Sequence, residues 1–165
     1  LLKSLKNFSN KIKWINGGDT RQKSVFNGLN SLPSTAEKVL IHDGARCLIG
    51  PDLINKCASE LEQNDAVVLA TKVTDTIKIV DNKGYIKETP NRQNLWAAQT
   101  PQGFTVKRLK EAHEMAIEKD WTVTDDASLF EMLNWQVKII EGNSANIKIT
   151  SPLDLKIAKL FLKDF

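Results

Sequence analysis

Ala66-Val67-Val68-Leu69-Ala70 (AVVLA) is the stretch on which the fold turns. A continuous apolar run of this kind, with no polar residue in alternate places, reads as a central strand covered on both faces. Upstream, Pro51 and Asp52 open a helix whose Leu53, Ile54, Cys57 and Leu61 recur at helical spacing. Before it, Lys38 to Ile41 (KVLI) is a short buried strand that ends at His42-Asp43-Gly44. Thr20 to about Asn30 places Val25, Phe26 and Leu29 on a helix. Lys11 to Asn16 (KIKWIN) alternates polar and apolar, which predicts a strand, broken by Gly17-Gly18-Asp19. Strand, helix, strand, helix, strand implies an α/β domain with a largely parallel sheet.

Downstream of the run the rhythm changes. Asp75 to Val80, Tyr85 to Glu88 and Leu95 to Ala98 are short extended pieces, with a hairpin turn at Asp81-Asn82-Lys83-Gly84. They read as a β-arm, residues 75–102, inserted into the α/β body, and Phe104 ends it. Thr105 can cap a helix through about Glu118, and Thr124-Asp125-Asp126 another through about Leu133. Gln136 to Glu141 is a strand. Ser151-Pro152-Leu153-Asp154 combines a capping hydroxyl, a proline at the first helical position and a carboxylate at the third, and Leu155, Ile157, Ala158, Leu160 and Phe161 give the helix its apolar side.

A chain of 165 residues and 18.5 kDa is expected to form one domain, 1–165. With 41% hydrophobic and 26% charged residues it reads as an ordinary globular protein. No apolar run approaches the roughly 18 residues of a membrane helix, and no secretory leader is visible. The first residue is Leu1 and not Met, so the chain is expected to start inside a longer product. A net charge of +3, with Arg only at 21, 46, 92 and 108, argues against nucleic acid, as do tryptophans (Trp14, Trp96, Trp121, Trp135) too widely spaced to form a stacking platform. Cys47 and Cys57 suit neither a disulfide framework nor, with His42, a zinc site. There is no G-x-G-x-x-G, no P-loop and no G-x-S-x-G elbow. A doubly wound nucleotide fold opens with a strand and a Gly-rich turn, whereas Lys11 to Asn16 behaves like a second or third strand.

Polar clusters stand where strands end, the place where open α/β sheets bind ligands. Gly17 to Ser24 (GGDTRQKS) permits close backbone approach and offers helix N–H groups, or is a plain capped turn. In His42-Asp43-Gly44-Ala45-Arg46 a carboxylate could hold a metal or accept a hydroxyl and Arg46 could grip phosphate, or the two could form a surface ion pair. Thr124-Asp125-Asp126 reads as a helix cap, and Asn146-Ile147-Lys148-Ile149-Thr150 sets Lys148 opposite two isoleucines.

In order along the chain, GGDTRQKSVFNGL (17–29), VLIHDGAR (39–46), VTDTIK (73–78), TPNRQNLWAAQTPQGF (89–104), TDDASLFE (124–131) and GNSANIKITSPLDL (142–155) together resemble the 2-C-methyl-D-erythritol 4-phosphate cytidylyltransferase family. The resemblance covers nearly the whole chain. It implies a Rossmann-like three-layer nucleotidyltransferase sheet. It also implies a reaction in which the phosphate of a sugar-alcohol phosphate attacks the α-phosphorus of CTP, with Mg²⁺ or another divalent cation. Catalysis would then rest on positioning and charge neutralisation. Carried over residue by residue, Gly18, Asp19 and Ser24 would hold the cytosine edge, with Arg21 shaping that loop. Asp43 would lie between the ribose-phosphate region and the acceptor, with Arg46 nearby. Lys148 would neutralise the α-phosphate, and Thr124 would touch the acceptor phosphate. The β-arm would form a homodimer, carrying Thr76, Arg92 and Thr100 to the partner's acceptor-phosphate site. No residue is assigned as a metal ligand.

The chain departs from the family pattern. The family's N-terminal strand and Gly-rich turn, with an Arg and a Lys that grip the triphosphate, are not among these residues, so the 165-residue chain alone is expected to be inactive. Gly44 and Cys47 stand where Ala and Pro are more usual, and Ala145 stands where some members carry an acid. Ribitol 5-phosphate cytidylyltransferase and an inactive dimerising fragment are the alternatives. The expected compartment is the bacterial cytoplasm, or a plastid if the source is eukaryotic.

Overall fold

The computed structural model describes residues 12–162. A four-stranded sheet forms its centre, built from β1 (Lys38–Ile41), β2 (Ala66–Lys72), β5 (Trp96–Thr105) and β6 (Lys138–Glu141), in the spatial order β1-β5-β2-β6. A two-stranded ribbon, β3 (Ile79–Val80) with β4 (Ile86–Glu88), forms a separate sheet. Among the described residues five α-helices accompany these strands: α1 (Arg21–Asn30), α2 (Pro51–Glu60), α3 (Val106–Glu118), α4 (Ala127–Met132) and α5 (Pro152–Phe161).

The AVVLA run is the centre of the sheet, as its composition requires. All five of its residues are buried, with β5 on one side and β6 on the other. Its side chains divide between two cores. Ala66 joins Phe104 with Leu29 of α1, Leu109, Ala112 and Ala116 of α3, and Leu129 and Phe130 of α4. Val67 and Leu69 pack with Ile140 against Cys57 of α2 and the adjoining Leu61. Helices thus cover both faces, which is the expected three-layer arrangement. Burying a side chain such as Phe104 contributes about 1.5–3 kcal/mol.

Two expectations need correction. First, the sheet is mixed: β2 runs parallel to β6, but β5 is antiparallel to both β1 and β2. The expected short piece Leu95 to Ala98 is the start of this ten-residue strand, and residues 96–102 belong to the main sheet and not to an arm. The cause lies in the connection. A parallel return needs a crossover element. Here the chain leaves β2 at Lys72 and comes back at Trp96, directly opposite it, with Val73 N–H donating to Leu95 O as the last rung at 3.1 Å. It therefore re-enters the sheet running the other way.

Second, residues 12–16 of the expected strand Lys11 to Asn16 form no strand, and Lys11 lies outside the described residues. A strand needs ladder partners. This segment has side-chain ties instead, from Asn27 Nδ2 to Asn16 O at 3.2 Å and from Lys13 Nζ to Ser31 O at 2.9 Å.

The local signals are realised at the starts of α1 and α5 but not of α3, where Thr105 makes no capping bond through its side chain and its hydroxyl donates to Asp65 Oδ1 at 3.2 Å instead. Thr20 caps α1 by accepting from Lys23 N–H, and Ser151 with Asp154 closes a capping box on α5. In the ribbon, Asp81 Oδ1 accepts from Lys83 and Tyr85 N–H, and Gly84 takes φ of +85°, which suits a residue without Cβ.

Candidate active site

The loops after β1 and β6, the N-termini of α1 and α4 and the first half of β5 converge at one end of the sheet. Their side chains line a cavity of about 210 Å³: Arg21, Asp43, Arg46, Ala98, Gln99, Thr100, Gln102, Thr124, Asp125 and Lys148. Six of the eleven site residues expected from sequence are among them: Arg21, Asp43, Arg46, Thr100, Thr124 and Lys148.

Asp43 is its electrostatic centre. Lys148 Nζ lies 2.9 Å from Asp43 Oδ2, and Arg21 Nε lies 3.4 Å from Asp43 Oδ1. Burial pushes the Asp43 carboxyl up, but the hydrogen bond and charge of Lys148, with those of Arg21, outweigh it and hold the group below the usual carboxylate range. The Lys148 loop is tied to the Asp43 loop through the backbone, Ile149 N–H donating to Ala45 O at 2.8 Å.

Arg46 does not form the surface ion pair with Asp43 that its sequence position also allowed. Its Nη1 donates to Asn146 O at 2.8 Å and its Nη2 to Ala98 O at 3.4 Å, and among the described residues no carboxylate pairs with it. Burial pulls its pKa down, while Asp43 acts in the opposite direction. Arg46 Nε and Asn146 Oδ1 are buried without partners. Unpaired buried polar atoms beside a cavity are where a ligand or water is accommodated.

Thr100 is expected to act across to a partner subunit, but it sits in its own chain's cavity. The reason is that β5 is an inner strand. Asp43 N–H donates to Thr100 Oγ1 at 3.0 Å, and Thr100 Oγ1 lies 3.0 Å from His42 Nδ1. His42 Nε2 is 3.0 Å from the Arg46 carbonyl. A carbonyl can only accept, so Nε2 carries the proton, and in the neutral ring the Thr100 hydroxyl donates to Nδ1.

The other expected residues lie elsewhere. Ser24 Oγ accepts from Gly18 N–H at 3.0 Å and donates to Thr20 O at 2.9 Å, so it shapes the loop ahead of α1. A Cβ on Gly18 would come within 2.2 Å of Lys23 Cγ. Ser24 faces a larger, mainly apolar cavity of about 640 Å³ between α1 and β1, which meets the polar site at Arg21 and Asp43. Asp19 lines a third cavity, with Phe26 and Trp121. Thr76 and Arg92 belong to the segment between β2 and β5, away from all three cavities, and Arg92 Nη1 donates to Thr74 O at 2.9 Å.

Sequence reasoning assigned no site role to four buried polar residues, Gln99, Gln102, His113 and Asp126, the last of which it read only as part of a helix cap. Gln102 donates from Nε2 to Asp125 Oδ2 at 2.7 Å and accepts Ala127 N–H at Oε1. Gln99 accepts from Asn146 Nδ2 and donates to Asn143 O, tying β5 to the Lys148 loop. His113 and Asp126 pair in the core, Nε2 to Oδ1, at 3.1 Å. The available signals were a glutamine inside a strand otherwise in the core, and a histidine on the apolar stripe of Leu109, Ala112 and Ala116. The Thr124-Asp125-Asp126 cap is also refined: Asp125 accepts Ser128 N–H at 3.2 Å, whereas Asp126 makes no capping bond.

Among the described residues no group of three or more His, Cys, Asp or Glu side chains could share a metal ion, and no helix is long and apolar enough to cross a membrane.

Comparison with known proteins bears on this site. The family model for 2-C-methyl-D-erythritol 4-phosphate cytidylyltransferase matches residues 2–164. The protein of that name from Prochlorococcus marinus subsp. pastoris (strain MED4) is 94% identical over 165 residues, covering all of this chain and 74% of the relative. The one from Trichodesmium erythraeum is 58% identical over 151 residues, covering 92% of this chain and 67% of the relative. The crystal structure of 4-diphosphocytidyl-2C-methyl-D-erythritol synthase from Anaerococcus prevotii superposes with a TM-score of 0.91 at 38% identity, covering 98% of this chain and 73% of that one.

Proposed function

The chain belongs to the 2-C-methyl-D-erythritol 4-phosphate cytidylyltransferase family, and we propose that the cavity around Asp43 is where its two substrates meet. The activity is transfer of a cytidylyl group from CTP to 2-C-methyl-D-erythritol 4-phosphate, with release of pyrophosphate, in isoprenoid precursor synthesis. The observation that supports this placement is the Lys148–Asp43–Arg21 array at the sheet's ligand-binding end, with Arg46 beside it.

The acceptor's phosphate oxygen forms a new bond to the α-phosphorus of CTP, and the bond from that phosphorus to the bridging oxygen breaks, releasing pyrophosphate. Negative charge accumulates on the α-phosphate oxygens in between. Lys148 exchanges its pairing with Asp43 for those oxygens, which places a cation where charge develops. Asp43, held ionised by Arg21, accepts hydroxyl groups and orients Lys148 before substrate arrives. Thr124 and Arg46 face the acceptor. Gly18 and Asp19, braced by Ser24 at the start of α1, form the loop that receives the base.

Mg²⁺ or another divalent cation finds no cage of protein ligands among the described residues, and Asp43 is already claimed by two cations. Ions of this type commonly bind through substrate phosphates. When bound, such an ion would be held chiefly by the substrate phosphates and would neutralise part of their charge.

A homodimer through the arm completes the reading. Val80, Tyr85 and Ile86 of the ribbon are 52%, 70% and 62% exposed, and an isolated two-stranded ribbon is marginal alone. Pairing two arms about a two-fold axis covers these side chains. Thr76 and Arg92, which do not line their own chain's cavity, would then serve the partner's. The relatives are bacterial, and the compartment this reading takes is the bacterial cytoplasm.

These 165 residues contain no Gly-rich turn with Arg and Lys to grip a triphosphate, so the polypeptide by itself is expected to turn over nothing. The test is pyrophosphate release with CTP, using methylerythritol phosphate or ribitol 5-phosphate as acceptor. The assay is run on the 165-residue polypeptide and on the full-length protein that contains it. Turnover by the full-length protein with the first acceptor only is expected. Turnover by the polypeptide alone would overturn the claim about the triphosphate grip, and a preference for ribitol 5-phosphate would overturn the acceptor.

A further inference from the structure

Resting on the reading of Arg21 and Asp43 as site residues, we propose that buried Asp126, held in place by His113, is a positioning residue that fixes the guanidinium of Arg21 against Asp43. The two acids of Thr124-Asp125-Asp126 have different jobs. Asp125 does the work of a helix cap, through Ser128 N–H. Asp126 is 1% exposed and makes no capping bond. A buried carboxylate is costly unless its oxygens are paired, so its partners account for its presence.

Those partners form a line from core to site. His113, itself 1% exposed, stacks on Phe26 with ring centroids 5.6 Å apart and donates from Nε2 to Asp126 Oδ1 at 3.1 Å. Asp126 Oδ2 accepts from Arg21 Nη1 at 2.8 Å. Arg21 Nε then reaches Asp43 Oδ1 at 3.4 Å, and Asp43 Oδ2 meets Lys148 Nζ at 2.9 Å.

The geometry uses what is particular to arginine. One planar fork offers separate N–H groups to two carboxylates on different elements, the α4 start and the loop after β1, and this sets its plane. The bond to Asp126 is the shorter and the more buried. Asp126 thus acts as anchor, and Asp43 is the group being oriented. His113 is locked by the Phe26 stack and holds the other oxygen, so the carboxylate of Asp126 cannot rotate freely. Neither His113 nor Asp126 lines the cavity around Asp43, so their effect is transmitted through Arg21.

A double-mutant cycle in the full-length enzyme tests this, reading kcat and KM for CTP and for methylerythritol phosphate, with circular dichroism to confirm folding. Asp126→Asn, close in shape, is expected to lower kcat/KM by about tenfold or more. In an Arg21→Ala background the same change is expected to cost less than about twofold, because the group it positions is gone. His113→Gln, which keeps a donor, should retain more activity than His113→Leu, and that difference too should vanish without Arg21. Should Asp126→Asn fail to fold, the His113 pair on the two backgrounds gives the same readout. A damaged Arg21→Ala enzyme in which the Asp126 and His113 effects persist in full overturns this inference alone. An Arg21→Ala enzyme with normal kinetics overturns the placement of Arg21 in the site, and the inference with it.

Discussion

Lys148 Nζ and Asp43 Oδ2 are 2.9 Å apart, although they lie 105 positions apart in the chain. The cation that would meet the α-phosphate is therefore held beforehand by the carboxylate at the mouth of β1. A flexible lysine parked on a partner loses less freedom when it engages substrate than one free in solvent.

Lys148→Ala should lower kcat by about a hundred- to a thousandfold, the scale for removing one group that stabilises developing charge. Steady-state kinetics of the full-length enzyme give the number, and circular dichroism should show the fold retained. A loss under about tenfold would return Lys148 to the solvated surface.

Arg92 should act on the partner's substrate. Arg92→Ala should raise KM for the sugar phosphate and leave CTP binding nearly normal. Mixing Arg92→Ala subunits with Lys148→Ala subunits at low sugar phosphate is the decisive measurement. If Arg92 serves the other subunit, each mixed dimer holds one intact pocket and regains up to about half of normal activity. If mixing restores nothing, the shared site is wrong even where a dimer is observed.

Acid should weaken the fold partly through Asp43. Its folded pKa lies below the ordinary value of about 3.9, because Lys148 and Arg21 together outweigh its burial. Its contribution is therefore present above that value and drains away as pH falls through the lower, folded one. Urea midpoints of wild type and Asp43→Asn should converge below about pH 4. Parallel acid profiles would show that the pair carries no linkage.

Gly103→Ala should destabilise by about 1–3 kcal/mol, the usual cost of overpacking. A Cβ there would stand 2.8 Å from Leu40 Cδ2, 2.8 Å from Val67 Cγ2 and 2.9 Å from Leu61 Cδ1, all packed in the layer beneath α2. Urea unfolding measures it. An unchanged midpoint would mean that this layer yields more readily than its packing indicates.

Much of this protein was legible as one-dimensional pattern. AVVLA is buried on both faces because every residue in it is apolar, and the Thr20 and Ser151 caps form because their hydroxyls sit one residue ahead of helices that need acceptors. Asp43, Thr124 and Lys148, which the structure brings to one cavity, could be singled out because strand ends and helix starts are local features, and the order of motifs along the chain pointed to a family. What pattern could not supply was the direction of β5, the place of Thr100 in its own chain's cavity, and the line from His113 through Asp126 to Arg21. Each depends on pairings between residues far apart in sequence: Lys72 with Trp96 across the arm, Thr100 with Asp43, Arg21 with Asp126. Composition and periodicity report the burial a residue seeks. Which distant partner satisfies its hydrogen bonds is decided only when the layers close and every buried donor must find an acceptor.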